Sequence, residues 1–275
     1  MATIMTVQFK PTTFSISNFS YDSVSASLDT LIGSNQTWDG MSARPDGTVF
    51  FAVANGSDTI YQFDLSSGWD LTTISDSGNS FGLSSAGTVS ATGIFVRPDG
   101  SQMFIADATG SEVWRYTIDT PWDVSSGSFT GVQTESLSEV PANQLQDIHF
   151  NPTGTKMYAL RGLTTRRVYQ YTLSTPWDLT TLSYDSVFLN IDPQTSGARG
   201  ITFTDDGKSI FVIDISADEI FQYDLPTPWE LTSGAYTGNS LATSPNSTPT
   251  GVVMGNSNST IFTIDLAQSV FQYSL

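Results

Sequence analysis

Five segments of this chain repeat one pattern, and the repeat narrows the open folds more than any other feature. They read GMSARPDGTVFFAVANGSDTIYQFDL, GIFVRPDGSQMFIADATGSEVWRYTI, DIHFNPTGTKMYALRGLTTRRVYQYTL, GITFTDDGKSIFVIDISADEIFQYDL and GVVMGNSNSTIFTIDLAQSVFQYSL. The turn glycine is Gly47, Gly100, Gly154 and Gly207, with Asn258 in the last copy, so the period is 51 to 54 residues. The first four copies run on into a second signature: SGWDL at Trp69, TPWDV at Trp122, TPWDL at Trp177 and TPWEL at Trp229. A further β-like segment follows, such as LSYDSVFLN at residues 182–190.

Each unit therefore reads as four strands. Strand A is the apolar run before the Pro-Asp-Gly turn, as in Ile94-Phe95-Val96. Proline fixes φ there and glycine accepts φ > 0. Strand B is the run Met103-Phe104-Ile105-Ala106, and strand C the run Val168-Tyr169-Gln170-Tyr171. Strand D follows the Trp-Asp turn. Strands A and B are nearly continuous in apolar residues, so both of their faces are buried. Four-stranded units with dry inner and polar outer strands describe the blades of a β-propeller. No segment keeps a 3.6-residue apolar period, which predicts essentially no helix. A solenoid would need polar capping repeats, and none is visible.

The last copy stops at Phe271-Gln272-Tyr273-Ser274-Leu275, before any Trp turn or strand D. The missing part lies at the other end. Residues 12–24, TTFSISNFSYDSV, match residues 175–187, TPWDLTTLSYDSV, in register, with Phe14 on Trp177 and Tyr21 on Tyr184. The register leaves 265 residues, five repeats of 53. The expected fold is all-β: one five-bladed β-propeller of four-stranded antiparallel blades over 11–275, closed by the N-terminal strand in the last blade. Residues 1–10 fall outside the repeat. Met5, Val7 and Phe9 alternate with polar residues there, as in a strand, and the segment is read as an arm for a neighbouring protein or a strand lying on its own propeller.

Composition limits the partners. Charged residues are only 13 %, the formal net charge is −17, and there is no Cys. Such a surface repels a phosphate backbone, so nucleic acid is not expected as a partner. Neither disulfides nor thiolate metal sites hold the fold. The first residues, MATIMTVQFK, lack the basic and apolar regions of a secretory signal, and no run of about 18 apolar residues would insert into a membrane.

Residues that recur in every copy are read as structural. Trp69, Trp122, Trp177 and Trp229, completed by Phe14, mark a joint under the C–D turn rather than five ligand sites. Asp107, Asp214 and Asp265 end strand B in three copies; one carboxylate per blade is too sparse for calcium, and capping of the B–C turn fits better. His149, the only His, has no second His or Cys beside it and reads as a core or channel residue rather than a metal ligand.

Residues that depart from the repeat are the candidates for binding. Trp38 stands opposite Ala91, Leu145, Ala198 and Pro249, on the face where loops D–A and B–C emerge, and is a candidate stacking platform. Asp39 and Gln146 follow at the same end of strand A. Arg161, Arg166 and Arg167 surround the third B–C loop, and Arg199 opens the fourth copy. These arginines are four of only 10 basic residues, which suggests a site for an anion or acidic glycan; ion pairs with nearby Asp residues are the alternative. No catalytic residue, metal or cofactor is expected.

The signature V-x-Q-Y-x-L-S-T-P-W-D-L, here VYQYTLSTPWDLT at 168–180, resembles a repeat in β-propeller proteins of marine phages and some marine bacteria. The resemblance covers nearly the whole chain from residue 11. It implies a non-enzymatic particle-associated role: tail fibre, receptor-binding protein or capsid decoration. Location on the virion, contact with other virion proteins through residues 1–10, and binding of a host-surface glycan are the corresponding expectations. A soluble lectin-like propeller is the second reading. A glycoside hydrolase is the third; it would need a carboxylate pair about 5–9.5 Å apart, for which Asp39 and Asp147 are the available residues.

Overall fold

The predicted strands form, and they form five separate antiparallel sheets. The computed structural model describes residues 14–83, 90–134 and 137–275; the predicted arm, residues 1–10, lies outside them. Strand β1 (Ser20–Ser27) comes first. Blade 1 contains β2 (Trp38–Ala43), β3 (Val49–Ala54), β4 (Thr59–Leu65) and β5 (Ile74–Gly82). Blade 2 contains β6 (Ala91–Val96), β7 (Gln102–Asp107), β8 (Glu112–Ile118) and β9 (Gly127–Gln133). Blade 3 contains β10 (Leu145–Phe150), β11 (Lys156–Arg161), β12 (Arg167–Leu173) and β13 (Leu182–Asn190). Blade 4 contains β14 (Ala198–Phe203), β15 (Ser209–Asp214), β16 (Glu219–Asp224) and β17 (Ala235–Ala242). Blade 5 contains β18 (Pro249–Gly255), β19 (Thr260–Asp265) and β20 (Ser269–Ser274), and takes β1 as its outer strand.

The sheets stack as a five-bladed β-propeller. Strands β3, β15 and β19 are buried along their whole length, whereas outer strand β13 alternates between exposed and partly buried residues. Apolar side chains gather between blades, with one core at each of the five joints. Val49, Phe51 and Val53 of blade 1 meet Ile94, Val96 and Ile105 of blade 2, for example.

The seam lies inside blade 5, and the joint of blades 4 and 5 beside it is built like the others. Strand β1 pairs antiparallel with β20, Ser20 opposite Ser274 and Tyr21 opposite Tyr273. Ile16 and Phe19 are buried against Phe211, Ile213 and Ile220 of blade 4. A hydrogen-bond motif runs through four of the five joints. The strand C glutamine of one blade accepts from the first backbone amide of the short 3₁₀ turn in the next blade. Gln62 Oε1 accepts from Val124 N at 3.0 Å, Gln170 from Leu231 N at 2.8 Å, and Gln272 from Leu71 N at 2.8 Å. Gln222 accepts from Ile16 N at 2.8 Å, so the N-terminal segment occupies the same place as the internal repeats. Arg115 replaces the glutamine in blade 2 and donates instead to the Trp177 carbonyl.

The Trp turns explain the rigid spacing of the repeat. Trp69, Trp122, Trp177 and Trp229 all have left-handed backbones, with φ from 61° to 68°. That conformation is costly for a residue with a Cβ. Each Trp amide donates to the carbonyl of its own blade's turn glycine, from Trp69 to Gly47 at 3.2 Å through Trp229 to Gly207 at 2.9 Å. The indole lies on that glycine, and a Cβ on Gly47 or Gly154 would clash with it. The ring also reaches the preceding blade. Trp122 stacks on Phe51, Trp177 on Phe95, and Trp229 on His149. Trp69 meets Phe262 across the joint of blades 5 and 1, and Phe14 meets Phe211 across the joint of blades 4 and 5. The repeated aromatic is the blade joint that its recurrence predicts.

Helix is negligible, as expected, and among the described residues one short α-helix occurs. Helix α1 (Leu28–Ile32) links β1 to β2; Ser27 Oγ caps the Thr30 amide, and Gly33 closes the helix at φ 70°. Five residues are too few for a period to register in the sequence. Among the described residues no helix is long and apolar enough to cross a membrane.

Candidate functional site

Two faces flank the central channel. The D–A and B–C loops form the loop face, and the A–B and Trp turns form the turn face. On the loop face each inner strand is irregular where it begins. The register with strand B shifts between Trp38 and Met41, Ala91 and Gly93, Leu145 and Asp147, Ala198 and Gly200, and Pro249 and Gly251. The displaced residues are Asp39, Thr92, Gln146, Arg199 and Thr250. A bulge of this kind re-aims a side chain.

Threonine uses the position to tie blades together. Thr92 Oγ1 donates to the Leu145 carbonyl at 3.1 Å, and Thr250 Oγ1 to the Trp38 carbonyl at 3.0 Å. The other three positions carry the off-repeat residues. Arg199 Nη1 donates to Gln146 Oε1 at 2.6 Å, across the joint of blades 4 and 3. Burial raises the pKa of Asp39 above the usual carboxylate value, while the Arg199 charge and an Asn55 hydrogen bond partly offset the rise. Asp39, Gln146 and Arg199 are thus one polar group at the channel mouth.

The remaining predicted residues divide. Arg161 ends β11 opposite Leu145, next to Gln146, and its Nη2 donates to Thr164 Oγ1 at 3.3 Å. It borders the mouth. Arg166 pairs with Asp192 at 2.9 Å and donates to the Leu163 carbonyl, the ion-pair alternative for a basic residue here. The Arg167 guanidinium lies 4.0 Å over the Phe188 ring of outer strand β13. Neither Arg166 nor Arg167 joins the mouth group. Trp38 is a correction. It is 0 % exposed, and its Nε1 donates to Asp29 Oδ1 at 2.8 Å. A ring with no accessible face cannot stack on a ligand. Its departure from the repeat is matched by a second one, Asp29 in α1, whose carboxylate accepts the indole hydrogen bond.

The strand B carboxylates cap loops as their positions suggest. Asp214 Oδ1 accepts from Ser216 N and Ala217 N, and its Oδ2 from Ser196 N and Gly197 N, so it fastens the B–C turn to the D–A loop. Asp107 accepts from Thr109 N and Ser90 N in the same way. Among the described residues no group of three or more His, Asp or Glu could hold a metal ion.

Directly below the mouth the channel narrows. The next layer is Gly40, Gly93, Asp147, Gly200 and Gly251. The strands converge so far that a Cβ on Gly40 would sit 2.5 Å from the Gly93 Cα. Asp147 alone has a side chain. Its Oδ1 accepts from Ile148 N at 2.8 Å and its Oδ2 from Ile201 N in blade 4 at 2.9 Å. A Cβ on Gly93 would clash with that carboxylate, so Asp147 spans from blade 2 to blade 4. Burial pushes its pKa up to about 8, against the two amides that favour ionisation. The sequence signal is plain on alignment: four copies open strand A with glycine and one with aspartate.

Beneath this layer a cavity of ≈ 420 Å³ opens on the turn face. Met41, Ile94, Ile148, Ile201 and Val252 surround its inner part, and Pro45, Pro98, Pro152 and Asp205 its mouth. His149 stands in the wall between Phe95 and Phe203, with ring centroids at 5.1 and 5.0 Å. Desolvation lowers its pKa to about 3, so the imidazole is neutral. This is the channel histidine of the sequence reading.

No family model matches the chain. No curated protein matches it either. Solved structures do. One is a Bacteroides uniformis protein provisionally assigned as a 6-phosphogluconolactonase, 18 % identical over 79 % of this chain and 58 % of that one, at a TM-score of 0.50. Another is a functionally unknown protein from Desulfotomaculum acetoxidans, 15 % identical over 83 % of this chain and 62 % of that one, also at 0.50. The chain spans less than two thirds of the length of either. At such identities the likeness concerns the fold alone.

Proposed function

We propose that this propeller is a non-enzymatic binding module of a virion surface, and that its loop-face mouth contacts an acidic glycan. The observation that carries the reading is the mouth ring. Two blades keep a threonine that ties them to the next, whereas three replace it with Asp39, Gln146 and Arg199, and Arg161 borders the same place. Arginine offers a planar set of donors suited to a carboxylate or sulfate, and the buried Gln146 and Asp39 behind it orient Arg199, Gln146 through its Oε1 and Asp39 through its charge. The resemblance of the VYQYTLSTPWDLT repeat to marine phage propellers supports the virion setting. Residues 1–10 are the proposed link to other virion proteins. A soluble lectin-like propeller would use the same mouth and is distinguished by absence from purified particles.

The hydrolase reading has less support. Asp39 belongs to the mouth ring, whereas both Asp147 oxygens are engaged by backbone amides in the glycine layer beneath. A glycan array comparing the wild type with an Arg161→Ala/Arg199→Ala variant tests the proposal. The expected result is retention of carboxylated or sulfated glycans by the wild type. The variant should bind about tenfold or more weakly, as loss of charge-assisted hydrogen bonds implies. Equal binding by the two proteins would refute the mouth site. Release of free sugar, or turnover of a sugar lactone in the same incubation, would refute the non-enzymatic assignment.

A further inference from the structure

The cavity on the turn face plays no part in the proposed glycan contact, which lies beyond the glycine layer on the opposite face. Its chemistry is lopsided. The walls are apolar and aromatic: Phe95, Phe150 and Phe203 with Trp69 and Trp229. No Lys or Arg lines it, and its ionisable residues are Asp147, His149 and Asp205. Asp147 belongs to the closed end, where the channel narrows to glycine, and Asp205 to the mouth. His149 is neutral, so each charge the cavity can carry is negative.

The carboxyl of Asp147 has backbone amides on both oxygens and, among the described residues, no ion pair with a cation. Each carboxylate oxygen keeps a further acceptor site. A buried carboxylate is costly unless it is neutralised, by a proton, as the raised pKa of Asp147 allows, or by a cation that displaces that proton. Aromatic faces attract cations as well, and the net charge of −17 concentrates them near the protein. Four other blades hold the same position with glycine, so the fold itself needs no carboxyl there.

From this arrangement we infer that the turn-face cavity is a binding site for a small organic ammonium ion, its apolar body held by the aromatic walls and its charged nitrogen directed to Asp147. His149 contributes a neutral hydrogen-bonding group to the wall. The hydroxyls of Ser42 and Thr202, which accept from Val96 N at 3.2 Å and Met254 N at 3.4 Å, keep their protons to donate.

The lone histidine makes the test direct, because only one imidazole gives ring signals in an NMR spectrum. Three probes of equal shape are titrated: 2-phenylethylammonium, neutral 2-phenylethanol and anionic phenylacetate. The amine is expected to shift the His149 signals to saturation and to bind about tenfold or more tightly than the alcohol, the ratio that one charge-assisted hydrogen bond supplies. Phenylacetate should give no shift. Asp147→Gly, which installs the residue of the other four blades, should remove the preference for amine over alcohol while leaving His149 responsive to both. Equal affinity of amine and alcohol for the wild type, absence of any shift, or an unchanged preference in Asp147→Gly would overturn the assignment. The wild-type comparison stands even if the variant folds poorly, and the glycan experiment reads the other face.

Discussion

Deletion of residues 1–26 is expected to make the protein aggregate, whereas deletion of residues 1–9 should leave its melting curve nearly unchanged. The larger deletion removes most of β1 and exposes the backbone edge of β20 along Ser269–Ser274. An unpaired edge beside Val270 and Phe271 is a template for another chain. It also removes Ile16 and Phe19 from the core between blades 4 and 5, and leaves Gln222 without the Ile16 amide. The joint thus loses its core and its cross-blade hydrogen bond together. The shorter deletion touches none of these contacts. Size-exclusion chromatography and thermal melts of the two truncations decide the matter. If the chain 27–275 elutes like the full-length protein and melts at the same temperature, the closure is wrong.

Replacement of Trp177 by Ala should cost about 3–5 kcal/mol in denaturant titration, the usual range for a large aromatic removed from a core. The indole is 7 % exposed and meets Phe95, Phe104 and Phe150. It covers Gly154 as well, so a void would open across the joint of blades 2 and 3. Trp177→Gly offers an internal check. It loses the same ring but relieves the left-handed backbone at φ 64°, and should therefore be less damaging than Ala by up to about 1 kcal/mol. A loss below about 1 kcal/mol for Trp177→Ala would mean that the repeated aromatic is not a joint but serves some other purpose.

The fold and the site differ in how readily sequence reveals them. A repeat that is continuous at strands A and B states the blade, and the match of residues 12–24 to 175–187 states where the ring closes. The first is reinforced five times, and the second is a match in register over thirteen residues. The site depends on single departures from the pattern, and a departure has two possible causes. At Gln146 and Arg199 it places polar groups at the channel mouth. At Trp38 it is internal compensation: the indole can be buried because Asp29, on the preceding helical turn, accepts its hydrogen bond. The two cases look alike until the partner is known, and Asp29 lies in a connection with no counterpart in the repeat. Arg166 and Arg167 illustrate the same difficulty, since Asp192 reaches Arg166 from a loop and Phe188 lies under Arg167 on strand β13. Asp147 is the converse. Its departure from glycine is visible in the aligned copies, but its meaning needs the convergence of five strands at the channel axis.

The faces, mouth and cavity exist only if the first and last strands, β1 and β20, share one sheet. The absence of cysteine from the chain permits a direct test with the double variant Ser20→Cys/Ser274→Cys, whose positions are opposite each other in β1 and β20. Directly paired strand residues lie within the range a disulfide spans. On mild oxidation at low protein concentration the variant is predicted to form a bond within one chain, so that the ends of a single polypeptide are joined and no thiol remains. Two free thiols, or bonds found only between chains, would contradict the shut five-bladed ring.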